Sequence, residues 1–203
     1  MKSNKPSRPF ITVKEALVAV LVIILFSVAF EKPFPIVERH PPPVRQISDQ
    51  DASEFIQQIK SISAGEIDSK IKSTDDKPTI MVIHASWCGY CKKLLRNIAT
   101  LKKEGSIDNT EILIVSVDED KMKLSKYLLQ YNYDKVFTPY IMDSTEETKL
   151  KSMIINKGGA YSKSIPYSVI FDKNGKMAEE VRGVMSGESI LRKLNGAIQG
   201  HNG

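Results

Sequence analysis

Thr-Ile-Met-Val-Ile-His-Ala-Ser-Trp-Cys-Gly-Tyr-Cys, residues 79–91, decides how the rest of this chain is read. Thr79 to Ala85 is a short, mostly apolar run, the pattern of a strand buried on both faces. Trp87-Cys88-Gly89-Tyr90-Cys91 follows and holds both cysteines of the protein. A helix is expected from Gly89 to Glu104, closed near Gly105. The two thiols then sit one helical turn apart, at a strand-to-helix junction, where they can close a small disulfide ring and reopen it. Such a ring encloses too little chain to stabilise much as a permanent bridge.

The junction also separates the two thiols chemically. Backbone N–H groups at a helix start are unpaired and the dipole there is positive, so a thiolate at Cys88 is stabilised, its pKa drawn down from roughly 8.5. Cys91, one turn on, is expected to be more buried. Cys88 then attacks a substrate disulfide, and Cys91 attacks Cys88 to release the product; run backwards, the pair donates a disulfide. Tyr90, between the cysteines, is placed to tune thiolate solvation. Lys92 and Lys93 read as a solvated helix face. His84, four residues before Cys88, reads either as a packed strand-end histidine or as a tuner of the thiol.

The 203 residues suffice for one ordinary domain and a short appendage, and 41% hydrophobic with 26% charged residues is a globular composition. Of the net charge of +5, +3 falls in residues 1–30 (Lys2, Lys5, Arg8 and Lys14 against Glu15), and the remaining +2 is too weak to indicate nucleic acid. Two cysteines exclude a disulfide framework, and with three histidines (His40, His84, His201) a zinc site would need distant residues to converge. Neither a metal nor an organic cofactor is expected.

The basic segment 1–15 precedes Ala16 to Phe30, which is apolar except for Ser27 and spans about 22 Å as a helix. That length suits a transmembrane anchor or a signal segment, with Ser27-Val28-Ala29 as small residues for cleavage. Either way the basic flank stays cytoplasmic and the following chain is exported. Residues 31–47, with Pro33, Pro35 and Pro41-Pro42-Pro43, read as a stiff spacer carrying a solvent-exposed His40.

The domain is expected over 48–199, with a tail at 200–203. Asp49 or Asp51 can cap a helix on which Phe55, Ile59 and Ile62 recur at helical spacing. Lys72 to Lys77 reads as a loop. Beyond the motif, Glu111 to Val117 reads as a strand, Lys121 to Tyr131 as a helix, Val136 to Met142 as extended and Thr145 to Asn156 as a helix ended by Gly158-Gly159. Tyr167 to Asp172 and Met177 to Arg182 form a hairpin about Lys173-Asn174-Gly175, and Ser189 to Ile198 is a last helix. This alternation indicates an α/β domain with a partly antiparallel sheet.

Trp-Cys-Gly-Tyr-Cys after a buried strand resembles the active site of the thioredoxin superfamily. The resemblance implies a thioredoxin-like α/β fold, a central mixed sheet flanked by helices, with a cis-proline facing the cysteines. Thr138-Pro139 and Ile165-Pro166 are candidates; only Pro166 is followed by strand, hairpin, strand, Gly183 and final helix in the family's order. Pro139 falls in an insertion before that unit, after a strand ending Ser116-Val117-Asp118, as in the membrane-anchored TlpA-like branch. By resemblance, substrate is held by Trp87, Tyr90, Ile165 and Pro166, the backbone beside Pro166 pairing with a substrate strand. The chain departs from the family pattern at Val82 and Leu94, where acids are common, and at Arg96, where a proline is; Gly-Tyr between the cysteines also matches Dsb-type isomerases.

These readings give a thiol–disulfide oxidoreductase in a bacterial inner membrane, single-pass, its N-terminus cytoplasmic and its domain periplasmic; the alternative is secretion to the periplasm after cleavage. It is expected to act as a monomer, to reduce or isomerise disulfides of exported cysteine-containing proteins, and to draw on a membrane redox donor. Other readings are a thioredoxin-fold copper chaperone or metal carrier, a Dsb-type disulfide donor, and a binding module with idle cysteines.

Overall fold

The computed structural model describes residues 45–74 and 76–199. The expected basic N-terminus, membrane segment, most of the proline spacer with His40, and the tail lie outside the described residues.

Helix α1 is Asp49–Phe55, N-capped by Ser48, whose hydroxyl accepts a hydrogen bond from the Asp51 N–H. A 3-10 turn at Ile56–Gln58 leads into the short strand β1, Lys60–Ser61. Ile59 and Ile62 therefore stand not on the expected helix but on extended chain. Ile59 packs into the core on one side of the sheet and Ile62 into the core on the other, as residues an odd number apart in extended chain should. A further helix, α2 (Ala64–Lys72), occupies chain to which the sequence reading gave no element. Ser63 and Glu66 close its N-terminus as a reciprocal capping box.

β2 (Thr79–His84) is buried at every position and is followed by α3, Gly89–Lys103. β3 (Glu111–Ser116) leads to α4 (Lys121–Gln130), which Asp120 caps. Of the expected extended stretch at 136–142 only Tyr140–Ile141, β4, pairs as a strand; a 3-10 turn at Tyr133–Lys135 precedes it, placing Tyr133 and Phe137 in the core. α5 (Ser144–Asn156) is capped by Asp143. β5 (Tyr167–Phe171) and β6 (Met177–Arg182) form the expected hairpin, and α6 (Gly187–Gln199) closes the fold. In the hairpin turn the Asp172 carboxylate accepts from the N–H groups of Asn174 and Lys176, both at 2.9 Å. Gly175 has φ +72°, and a Cβ there would lie 3.2 Å from the Ile71 carbonyl.

The six strands run β1-β4-β3-β2-β5-β6. β1, β4, β3 and β2 are mutually parallel, and β5 and β6 join antiparallel. The insertion expected before the proline unit is thus β4 and α5, with β4 wedged between β1 and β3. One sheet face packs against α1, α3, α4 and α6 through Phe55, Leu94, Leu95, Leu124, Tyr127, Ile190 and Leu194. The other packs against α2 and α5 through Ile67, Ile71, Leu150 and Ile154. β2 supplies both layers in alternation: Ile80 and Val82 to the first, Met81 and Ile83 to the second. The architecture is a thioredoxin-like mixed sheet flanked by helices.

Leu94, where the family resemblance suggested an acid, is 0% exposed within the first core layer. Leu94→Ala should therefore lower unfolding stability by about 2–5 kcal/mol, measured by urea denaturation with an unchanged slope.

Candidate active site

β2 ends at His84 and α3 begins at Gly89, so Ala85 to Cys88 must turn the chain from strand into helix. The Cys88 N–H donates to the Ala85 carbonyl at 3.1 Å, which tightens that turn. Cys88 is the N-cap of α3, with extended φ −83° and ψ 108°. Its sulfur occupies the place of a capping oxygen: the Cys91 N–H points at Cys88 Sγ, 3.1 Å away. Cys88 and Cys91 are joined as a disulfide with their Cα atoms 5.2 Å apart. Cys88 is 7% exposed and Cys91 is 0% exposed, so only the first sulfur is near the surface.

Around this pair the expected substrate-binding residues fall in two groups. Trp87 (69% exposed) and Tyr90 (73% exposed) flank Cys88 and Gly89 in the sequence and are largely open to solvent. Ile165 packs against Ala85, Cys88 and Cys91, together with Val117. The Ile165–Pro166 bond is cis, as the family order expected. The loop before Pro166 is held by β6: Glu180 accepts from the Ala160 N–H at 2.7 Å, and the Arg182 guanidinium donates to the Ala160 carbonyl at 2.9 Å. Lys93 is exposed, while the Lys92 ammonium lies 5.7 Å from the centroid of the Tyr127 ring.

Sequence reading gave no role to Asp118, and the structure makes it central. This carboxylate, 5% exposed, accepts from the Ser86 N–H (2.8 Å), the Ser86 hydroxyl (2.7 Å) and the Ser116 hydroxyl (2.7 Å). Three donors compensate the desolvation of its charge. They also tie the residue before Trp87 to the end of β3. The available signal was Ser116-Val117-Asp118, a buried strand ending in an acid two residues from a hydroxyl.

His84 is 1% exposed and pairs in register with Ser116. Its Nδ1 has no hydrogen-bond partner among the described residues. Burial drives the imidazole pKa down to about 4, against the opposing pull of the Asp118 carboxylate. His84 meets the Tyr127 ring at a centroid distance of 6.1 Å, and the Tyr127 hydroxyl likewise has no partner among the described residues. Val82 and Leu94, the two apolar departures from the family pattern, are fully buried core.

A cavity of about 650 Å³ is lined by Ser63, Glu66, Asp118, Glu119, Asp143 and Glu146 among others, but by neither cysteine. Both cysteines are buried, and only their sequence neighbours Trp87 and Tyr90 are widely exposed. Among the described residues, no three His, Cys, Asp or Glu side chains converge as a metal site.

The low basicity of His84 has a consequence for stability. The unfolded chain takes up this proton near pH 6.5 and the folded protein only near pH 4. Stability is therefore full above pH 6.5 and falls by about 3 kcal/mol as pH drops from there towards 4. His84→Phe should flatten this part of the stability–pH curve, measured by urea denaturation at a series of pH values.

The sequence matches the Thioredoxin-like family model over residues 75–177, just over half of the chain. No curated protein matches it by sequence. The fold is similar to that of a thiol:disulfide interchange protein of the thioredoxin family from Chlorobium tepidum, at 20% identity and TM-score 0.51, covering 62% of this chain and 83% of that one. It is similar too to a secreted thiol-disulfide isomerase from Corynebacterium glutamicum, at 14% identity and TM-score 0.50, covering 62% and 73%. At these identities the likeness is one of fold, and the family match, with a disulfide-forming cysteine pair at the head of α3, completes it: the chain belongs to the thioredoxin-like family of thiol–disulfide oxidoreductases.

Proposed function

We propose that this oxidoreductase works outside the cytoplasm, tethered to a bacterial inner membrane, and reduces or isomerises disulfides in exported proteins. The observation that carries the chemistry is the placing of the two sulfurs. Cys88 Sγ is the N-cap acceptor of α3, where a thiolate gains from the Cys91 N–H and from the helix dipole, and it borders the surface. Cys91 is enclosed and meets only what Cys88 has captured. Cys88 is thus the attacking thiol and Cys91 the resolving one. Trp87 and Tyr90 give a substrate chain apolar surface, and Ile165, joined to Pro166, packs against the two cysteines.

The tether is supported by sequence: a basic start, the apolar run 16–30 and a proline-rich spacer of the length needed to lift a domain from a bilayer. A thiol pair working there needs electrons from a membrane redox donor, because the surroundings are oxidising.

Cys91→Ala should accumulate mixed disulfides through Cys88 with exported cysteine-containing proteins, seen as reductant-sensitive adducts on gels of membrane fractions. Absence of adducts, together with no insulin reduction by the wild-type protein, would remove the reading. The reduction potential of the pair should lie nearer about −270 mV than about −120 mV; a value at the upper end would make the protein a disulfide donor instead.

A further inference from the structure

We infer that the exposed ridge of α3 docks an acidic polypeptide: the partner whose sulfur meets Cys88 carries aspartates or glutamates near its own cysteine, and Lys93, Arg96 and Lys103 receive them. This rests on the attacking role proposed for Cys88. The ridge follows from the helical period. On α3, Tyr90, Lys93, Arg96, Thr100 and Lys103 are exposed, each three or four residues from the next, so they form one stripe along the outside of the helix. The flanks of the stripe pack against neighbours. On one, the Lys92 ammonium lies 5.7 Å from the centroid of the Tyr127 ring of α4. On the other, the Asn97 amide donates to the Met185 carbonyl at 2.7 Å, just before α6. The stripe begins at Tyr90, between the two cysteines.

The charge on this helix has one sign. Gly89–Lys103 carries Lys92, Lys93, Arg96, Lys102 and Lys103 and no acid. Lys102 pairs with Asp108 at 3.0 Å. Among the described residues, no carboxylate forms an ion pair with Lys93, Arg96 or Lys103. Helix stability does not account for the arrangement. Lys93 stands near the start of α3, where the dipole is positive and a cation is disfavoured. Lys93 and Arg96 are like charges three residues apart, which repel. An acid on the stripe would relieve both, and the chain places none there. Only Lys103, in the last turn, suits the dipole.

The acidic cleft described above differs in this respect. Glu66 accepts from the Ser63 N–H, Asp143 from the N–H groups of Thr145 and Glu146, and Glu146 from the Ala64 N–H. Glu147 accepts from the Tyr161 hydroxyl and pairs with Lys163. Those carboxylates cap helices and fasten loops, whereas the cations of the ridge hold nothing within the fold. An anionic lipid surface would also accept cations beside Trp87 and Tyr90. It brings no sulfur, however, and would cover the site where Cys88 must meet one. A polypeptide supplies both the charge and the sulfur.

Helix geometry sets where the partner's acids fall. The rise along α3 from Cys88 is about 7.5 Å to Lys93, about 12 Å to Arg96 and about 22 Å to Lys103. An extended chain advances about 3.3 Å per residue. Acids about two, four and seven residues from the partner's cysteine therefore match the three cations. Complementary charge of this kind raises the rate of encounter and is screened by salt. The ridge thus selects which disulfides reach Cys88 and takes no part in the exchange itself.

Two synthetic peptides test this, each with a single cysteine held as a mixed disulfide with pyridine-2-thiol. One carries aspartates about two, four and seven residues to either side of the cysteine, the other lysines at the same places. The Cys88 thiolate bonds to the peptide sulfur, the peptide–pyridyl S–S bond breaks, and pyridine-2-thione leaves with the electron pair, so its absorbance reports capture. Each rate is divided by that of 2-mercaptoethanol with the same peptide, which removes the peptide's own reactivity. With reduced protein in about 10 mM salt the acidic peptide should react at least about tenfold faster than the basic one. In about 1 M salt, where the screening length is about 3 Å, the two should agree within about twofold. Lys93→Glu, Arg96→Glu and Lys103→Glu together should abolish or invert the preference. Lys77→Glu, Lys173→Glu and Lys176→Glu together should keep it: these exposed residues flank the paired ends Thr79 and Phe171, at the opposite end of β2 from the cysteines. Equal rates for the two peptides with wild-type protein, or equal loss of preference in both triple variants, overturn the docking ridge and leave the cysteine chemistry standing. Ridge-dependent binding to phosphatidylglycerol vesicles, with the two peptides reacting alike, overturns it in favour of a lipid surface. Should the ridge variant not fold, the salt series on wild-type protein and the Lys77 set decide. No pyridine-2-thione released from either peptide removes the role of Cys88, and this inference with it.

Discussion

The redox end of the molecule depends on one buried carboxylate. Asp118 gathers the Ser86 N–H, the Ser86 hydroxyl and the Ser116 hydroxyl onto its two oxygens, and so fastens the turn after β2 to the end of β3. Ala85 to Cys88 have only four residues in which to reverse direction. Fixing Ser86 fixes where Trp87 emerges and where Cys88 can cap α3. Removing one partner of such a network leaves the others buried and unpaired, so the three hydrogen bonds stand or fall together. The same carboxylate faces His84, which makes a structural bracket and an electrostatic influence out of one side chain.

The sequence displayed those parts of the fold whose physics is local. β2 and β3 were legible because both faces are covered and the runs are almost unbroken in hydrophobicity. The β5–β6 hairpin was legible because Asn174-Gly175 has few other uses. What escaped was decided at a distance. Ile59 and Ile62 keep a helical spacing with Phe55, but β4 offers an edge at Lys60 and Ser61, and pairing there draws the chain straight. α2 did carry a local sign, Ser63 three residues before Glu66 with Ile67 and Ile71 one turn apart, but the sequence reading gave that stretch no element. Of the site, the cysteines and their aromatic neighbours were legible as a motif, and Pro166 only through the family resemblance. Asp118 and the isolation of His84 were not, because they exist only when the ends of β2 and β3 lie side by side.

The inserted β4 also changes what the sheet presents at its border. It separates β1 from β3, leaving β1 as an outer strand of two residues, both exposed. A strand that short offers little template for unwanted pairing with another chain. At the opposite border β6 spends its polar side chains inward along the chain: Glu180 and Arg182 grip the backbone at Ala160 and steady the approach to Pro166. Beside them Gly159 has no room for a side chain, since a Cβ there would come within 2.6 Å of Ile154 Cγ2.

The complete enclosure of Cys91 governs who sets the clock of the reaction. A sulfur that no outside molecule can reach reacts only with a partner already bonded to its neighbour, so its encounter frequency owes nothing to the concentration of anything in solution. Held one helical turn from Cys88, it works at an effective molarity fixed by the fold. Capture is second order and belongs to the surroundings, whereas release is first order and belongs to the protein. On the function proposed above, the time a captured chain would spend attached, and with it the chance for that chain to rearrange before release, is set by the packing beneath α3.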